Sequence, residues 1–275
     1  AVDAWFTKET SMPRTLARRI LVLAAAACLG CLPAARAADM ITFETRPDGS
    51  TPTDDDVLHD VYGLSGGGAV RFFFDVNGNN KLDPGVDALP RFEQVGTDGT
   101  DGFLATTASS DGSPVFDRPR LGSGLGPQLG RFFLRQPDGI GVLPGPFIIA
   151  YDTTQVIREF SGEIWDIDAG EQWRVDVLNT AGDVLRTRLS PVGLRPLDPD
   201  SLDSLPWLFG FKNLPDGVAS IRLTFVGEKT DNIGLAFNNF SPTFAVEGSV
   251  VPEPASVVLL GLGLSAAAVL GLRRR

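Results

Sequence analysis

Eighteen consecutive uncharged residues, Ala255 to Leu272, run directly into Arg273, Arg274 and Arg275 at the end of the sequence. As a helix such a run spans about 27 Å, close to a bilayer hydrocarbon core of about 30 Å. Lys and Arg resist translocation, so the three arginines belong on the cytoplasmic side and everything before Pro252 on the outer side. The pattern predicts a linker over 247–254, a single C-terminal transmembrane helix over 255–272 and a basic cytoplasmic end at 273–275.

The front of the chain fits the same direction of travel. Residues 1–11 precede Met12 and read as a leader extension upstream of the true start. From Met12 come Arg14, Arg18 and Arg19, an apolar stretch from Ile20 to Leu32, then Ala35-Arg36-Ala37. That order describes a signal peptide over 12–37, and the small side chains of Ala35 and Ala37 suit signal peptidase cutting after Ala37. The apolar stretch is too short for a comfortable membrane span.

Pro252, Glu253 and Pro254 stand immediately before the terminal apolar run. Together with the basic end, they resemble the PEP-CTERM sorting signal of proteins exported by exopolysaccharide-producing Gram-negative bacteria. The resemblance covers about the last 25 residues of the sequence. It implies an exosortase as processing partner and a transient hold in the inner membrane. After cleavage it implies release to the cell surface or extracellular matrix.

Removing both ends changes what chemistry is available. Cys28 and Cys31, the only cysteines, both fall inside the signal peptide, so the mature chain has no disulfide, thiol nucleophile or cysteine metal site. Residues 38–252 carry 16 Lys and Arg against 31 Asp and Glu. An excess of that sign argues against nucleic acid as a partner and favours solubility and loading with divalent cations. Two hundred or so residues are enough for one well-buried core, placed here at 38–246.

Within that region Gly and Pro recur too often for long helices, and the apolar pattern alternates. Strands are predicted at Ile41–Glu44, Ala69–Asp75, near Phe103, at Arg131–Arg135, Phe147–Tyr151, Val156–Asp168 and Gln172–Asn179. They continue at Val184–Leu189, Leu205–Phe211, Val218–Val226 and Ile233–Phe240. Trp173, Val175 and Val177 share one face of their strand, and Thr180-Ala181-Gly182-Asp183 turns it into the next. The reading is an all-β fold, an antiparallel β-sandwich.

The run from Gly162 to Leu189, followed by Ile221 to Phe240, resembles the later strands of galactose-binding-like jelly-roll domains. Ile41–Glu44 is similar to their opening strand. In several such modules side chains from the two ends meet around a structural calcium, which implies Glu44 with Asn238 or Asn239. Separately, Asp75, Asn77, Asn79 and Asp83 place oxygen-bearing side chains at alternate positions, as a calcium loop requires. This stretch resembles the Asp- and Asn-rich calcium loops of bacterial surface proteins. Two departures stand out: Asn80 replaces the Gly of the sharp turn, and Val86 takes the place of a bidentate acid, with Asp87 one residue late.

Catalytic patterns are thin. His59 is the sole histidine and no nucleophile-elbow sequence occurs. Glu163 with Asp166 and Asp168 could flank a glycosidic bond, but acids are abundant in this chain. Trp173 and Trp207 read as core residues, which leaves Trp165 as the candidate glycan contact. The expectation is an exported, non-catalytic envelope or exopolysaccharide-matrix protein. A carbohydrate-binding module for extracellular polysaccharide stands second, and a secreted glycoside hydrolase third.

Overall fold

The computed structural model describes residues 39–65, 67–96, 104, 124–137, 141–195, 198 and 200–244. The leader, the signal peptide with Ala35 and Ala37, the segment near Phe103, the Pro252–Pro254 motif and the 255–272 run lie outside the described residues. Among those described, no helix is long and apolar enough to cross a membrane.

Among the described residues eleven strands form two antiparallel sheets within the unit 38–245. In chain order they are β1 (Tyr62–Gly63), β2 (Ala69–Phe74), β3 (Arg91–Gln94), β4 (Phe132–Arg135), β5 (Phe147–Asp152) and β6 (Ile157–Ile167). Then come β7 (Trp173–Asn179), β8 (Val184–Leu189), β9 (Leu202–Phe211), β10 (Val218–Phe225) and β11 (Ala236–Phe244). Among the described residues the one helical turn is α1, Gly126–Leu129, with Pro127 in its first turn, where a missing N–H costs nothing. The six-stranded sheet runs β1-β2-β5-β10-β7-β8 and the five-stranded sheet β3-β4-β11-β6-β9. From β4 onward successive strands mostly alternate between the sheets, so each sheet is knit from strands distant in sequence.

Alternation explains which side chains meet. Val70, Phe72 and Phe74 of β2, Ile149 of β5, Trp173, Val175 and Val177 of β7, and Ile221 and Leu223 of β10 point into one core. From the other sheet come Ile164, Ile167, Trp207, Phe209, Phe237 and Phe240. Rings dominate the contact. Phe237 lies 5.3 Å from Phe147 and 6.0 Å from Phe72 between centroids, both in the opposite sheet, and 6.1–6.3 Å from Phe240 and Phe209 in its own. Tilted and edge-on rings add to area burial.

The predicted strands are largely present, with informative shifts. Ile41–Glu44 is only an isolated bridge, Ile41 to Phe240, because Phe43 takes φ 60° and breaks the run. Ile233 bridges Gly141 instead of opening β11, which starts at Ala236 and extends to Phe244. β1 and β3, two and four residues long, have no counterpart in the sequence reading.

The five-stranded sheet is also covered outside the main core. Trp165, Phe133 and Ala236 face outward from the five-stranded sheet and pack with Leu104 and Leu129 in a second small core. The side chain of Arg135 at the end of β4 is 1% exposed; its Nε donates to Glu93 at 2.6 Å, one Nη to the carbonyl of Gln136 and the other to Asp55. Stability should be concentrated at the cross-sheet rings. Phe237→Ala is expected to cost about 3–5 kcal/mol in denaturant unfolding. Val184→Ala, at a residue 49% exposed on edge strand β8, should stay within about 0.5 kcal/mol.

Candidate functional site

The Asp75–Asp87 segment leaves β2 and folds into a loop tied almost wholly by its own oxygens. Asp75, buried at the strand end, accepts N–H groups from Gly78 at 2.8 Å, Asn79 at 3.1 Å and Asn80 at 2.7 Å. Asn80 has φ 60°, the left-handed conformation that Asn tolerates in place of Gly. The side-chain nitrogens of Asn77 and Asn79 both donate to one carboxylate oxygen of Asp83, at 2.6 and 2.7 Å. Their own amide oxygens accept from the N–H groups of Asn79 and Lys81. Asp87 closes the far side, accepting from Val76 at 2.9 Å and Asp83 at 2.7 Å. The four predicted residues therefore converge, and Asp87, one residue out of register by sequence, belongs to the same ring of contacts.

The donor set suits a hard, oxygen-seeking cation. Asp75 and Asp83 supply carboxylates, and turning Asn77 and Asn79 about their terminal bonds would bring amide oxygens to the Asp83 side. That turn would give up four hydrogen bonds, two donated to Asp83 and two accepted from the N–H groups of Asn79 and Lys81, which cation binding would have to offset.

The second predicted pair also comes together, on the loop following α1. Glu44 accepts from the N–H groups of Arg131 at 2.7 Å and Phe132 at 3.2 Å. Gly130, φ 75°, lets the carboxylate in, since a Cβ there would lie 2.2 Å from it. Asn238 is buried and donates to the carbonyls of Leu129 at 2.6 Å and Phe132 at 3.4 Å. Two side chains from opposite ends of the domain thus clasp one loop. Asn239 diverges. It sits at a bulge in β11 with φ 51°, and donates to the carbonyl of Gln128 and to Glu163.

Glu163 is fully engaged, accepting also from Gln128 at 2.7 Å and from the indole of Trp165 at 3.0 Å. Trp165 is 1% exposed, which overturns its reading as a glycan contact. The sequence correctly sets it apart from the main core; what it hides is that Leu104 and Leu129 cover that outer face. His59 is exposed.

A third group was not singled out as a metal site by sequence. Asp166, Asp168 and Asp203 bring carboxylate oxygens within 4.8 Å of one another and could hold a metal ion. Asp166 and Asp168 were visible as an i, i+2 pair, but Asp203 reaches them only through the β6–β9 pairing. Asp166 accepts from the N–H of Ser204 at 2.8 Å, and Asp168 already has the Lys229 ammonium at 3.2 Å.

Two buried acids have displaced titrations. Burial pushes Glu171 up to about 7, against the pull of Lys229 at 3.0 Å. Lys229 is held up in turn: burial lowers it, but Glu171 and Asp168 outweigh that. Burial likewise lifts Glu93 to about 7 despite Arg135.

Residues 250–275 match the model described as the PEP-CTERM protein-sorting motif. The chain carries a PEP-CTERM sorting motif. It marks an exported protein targeted to an exosortase, in agreement with the expectation drawn from Pro252, Glu253 and Pro254. No match was found among curated proteins. Among solved structures, the K2 cleaved adhesin domain of Lys-gingipain is similar at 10% identity and TM-score 0.38, over 75% of this chain and 99% of that one. The K3 cleaved adhesin domain of Lys-gingipain from Porphyromonas gingivalis w83 gives 12% and 0.29, over 55% and 90%. A DUF4465 family protein from Bacteroides caccae gives 10% and 0.37, over 77% and 95%. Likeness at this level says nothing of what the PEP-CTERM chain binds.

The two raised acids set a pH dependence. Each binds its proton more tightly folded than unfolded, so its contribution is complete below the ordinary value of 4.5 and is lost as pH rises through about 7. The melting temperature is expected to fall between about pH 4.5 and 7.5, and the double variant Glu93→Gln, Glu171→Gln to flatten that slope, read by scanning calorimetry across the range.

Proposed function

We propose that this is a non-catalytic β-sandwich protein delivered to the cell surface or exopolysaccharide matrix, freed from the inner membrane when an exosortase cuts at Pro252–Pro254. The sorting motif at 250–275 carries the reading. The signal peptide removed after Ala37 supplies export, the 255–272 helix the temporary hold, and the sandwich the delivered cargo. The strand order supports a jelly roll of the galactose-binding-like kind: β4-β11-β6-β9 faces β5-β10-β7-β8, with β3 and the β1–β2 hairpin added at the edges. Absence of catalysis is supported by how the sequence-flagged acids are used, since Glu163 is tied to Gln128, Trp165 and Asn239, and Asp168 to Lys229.

Mass spectrometry of the protein recovered from its host tests the processing. The expected product begins at Ala38 and ends near Pro252–Pro254. Intact polypeptide with both ends retained would overturn the proposal.

Calcium fits this reading as a structural ion in the Asp75–Asp87 loop, held by Asp75, Asn77, Asn79 and Asp83, where it would neutralise converging carboxylates. Adding calcium to chelator-treated protein should raise the melting temperature by several degrees, on the order of the shift given by a saturating ligand. Asp83→Ala should abolish that rise. An identical melting temperature with and without chelator would remove the ion from the account.

A further inference from the structure

The outer face of the six-stranded sheet holds a cleft of about 700 Å³ that neither the sorting motif nor the candidate cation sites use. Strand register shows how it arises. One row across the sheet reads Arg71, Ala150, Ser220 and Leu178, on β2, β5, β10 and β7. The row beside it reads Phe73, Ile148, Arg222 and Asp176. Ala150 and Ser220 are short, so the middle of the first row is a depression. Arg71 and Val61 wall it on one side, and the β7–β8 turn, Asn179 to Gly182, on the other. The walls stand three strand spacings apart, about 14 Å.

The end of the cleft is closed by the tip of the Asp75–Asp87 loop, Asn79 to Leu82. That tip is fastened down: Arg222 donates to Asn80 at 3.4 Å while its other Nη holds Asp176 at 3.0 Å. Asp176 is anchored further by Thr187 at 2.8 Å and Arg174 at 3.0 Å. The loop therefore lies across the Phe73 row and leaves the Ala150–Ser220 floor open.

Charge identifies the ligand class. In an acid-rich domain several guanidinium and ammonium groups are paired with acids, as at Arg46–Asp56, Arg135–Glu93, Arg222–Asp176 and Lys229–Glu171. Arg71 and Lys81 differ. Both line the cleft, and no described residue makes a hydrogen bond or ion pair with either side chain. Asp152 also lines the cleft, so two unpaired cations stand there against one carboxylate, and the local excess of positive charge attracts anions. Between them lie neutral groups that match hydroxyls, namely the amide of Asn80 and the hydroxyls of Thr180 and Ser220. The floor offers no aromatic platform, because Phe73 is fully buried and the Tyr151 hydroxyl is out of solvent. A ligand held here is held by charge and hydrogen bonds, not by stacking. The volume falls within the range of about 300–1,000 Å³ usual for ligand sites.

We propose that this cleft binds an acidic saccharide, its carboxylates on Arg71 and Lys81 and its hydroxyls on Asn80, Thr180 and Ser220. This deepens the matrix reading by naming what the delivered domain would grip, yet it is tested separately. Failure of tail cleavage shows in the terminal masses, and failure here shows only in binding.

Isothermal titration of the full chain in mild detergent, with oligogalacturonate as the acidic probe, maltohexaose as the neutral one and oligoglutamate as the peptide one, decides it. Oligogalacturonate should bind at least about tenfold more tightly than either control, a difference of about 1.4 kcal/mol. Arg71→Ala and Lys81→Ala should each weaken it about fivefold or more with unchanged melting temperature, and raising salt to about 0.5 M should weaken it further. Ala150→Leu, which fills the floor, should abolish it; if that variant does not fold, the two charge variants carry the test. Equal binding of maltohexaose, equal binding of oligoglutamate, no binding of oligogalacturonate, or indifference to both charge variants would each overturn the proposal.

Discussion

Burial of both faces of a strand is the constraint on which this domain depends. β4 reads Phe-Phe-Leu-Arg and every one of those side chains is buried, while β5 buries Phe147, Ile148 and Ile149 in succession. A two-layer sandwich hides only one face of each sheet. Side chains such as Phe73, Phe133, Ile148 and Trp165 therefore need cover from outside, and the chain supplies it from its loops. Residues of the region before β4, Leu104 and Leu129, close over Trp165 and Phe133. The Asp75–Asp87 loop is bound across the row of Phe73 and Ile148 through Arg222 and Asn80.

The candidate sites follow from that arrangement. A covering loop has to present apolar or neutral groups inward while satisfying its own backbone, and short Asp and Asn side chains do this without help from a neighbouring strand. Asp75 takes three N–H groups at once, and Glu44 and Asn238 take up both donors and acceptors of the loop after α1. The oxygen-rich geometry that suits a cation is thus the same geometry that holds the cover in place. A bound cation would take over the tie that the Asn77 and Asn79 amides now make to Asp83, which is why its expected effect is on stability and not on chemistry.

How much of this was legible in the sequence depends on the range of the interaction. Trp173, Val175 and Val177 alternate within five residues, and their burial could be read directly. The convergence of Asp75, Asn77, Asn79 and Asp83 was visible for the same reason, being local. β1 and β3 escaped because two or four residues carry no usable period, and they are strands only because β2 and β4 offer edges. Arg135 with Glu93 is a pair 42 residues apart, and Asp203 joins Asp166 and Asp168 across a similar gap through strand register. Such pairs obey topology, which composition and spacing do not encode. The alternation around Trp165 sets it apart from the main core, but the cover that buries it comes from elsewhere in the chain.

The same logic separates the address from the task. The tail is linear, and its meaning lies in order: Pro-Glu-Pro, an uncharged run, then arginines. The cleft has no linear signature at all, since Arg71, Lys81, Thr180 and Ser220 are scattered over about 150 positions and meet only because β2, β5, β10 and β7 lie side by side. A domain with a strongly negative balance repels acidic polymers on average, so any grip on one must come from a local reversal of sign. Paired cations cannot supply that reversal, because their fields are cancelled at contact distance. Two unpaired ones over a floor of Ala150 and Ser220 can, because they face the same concavity.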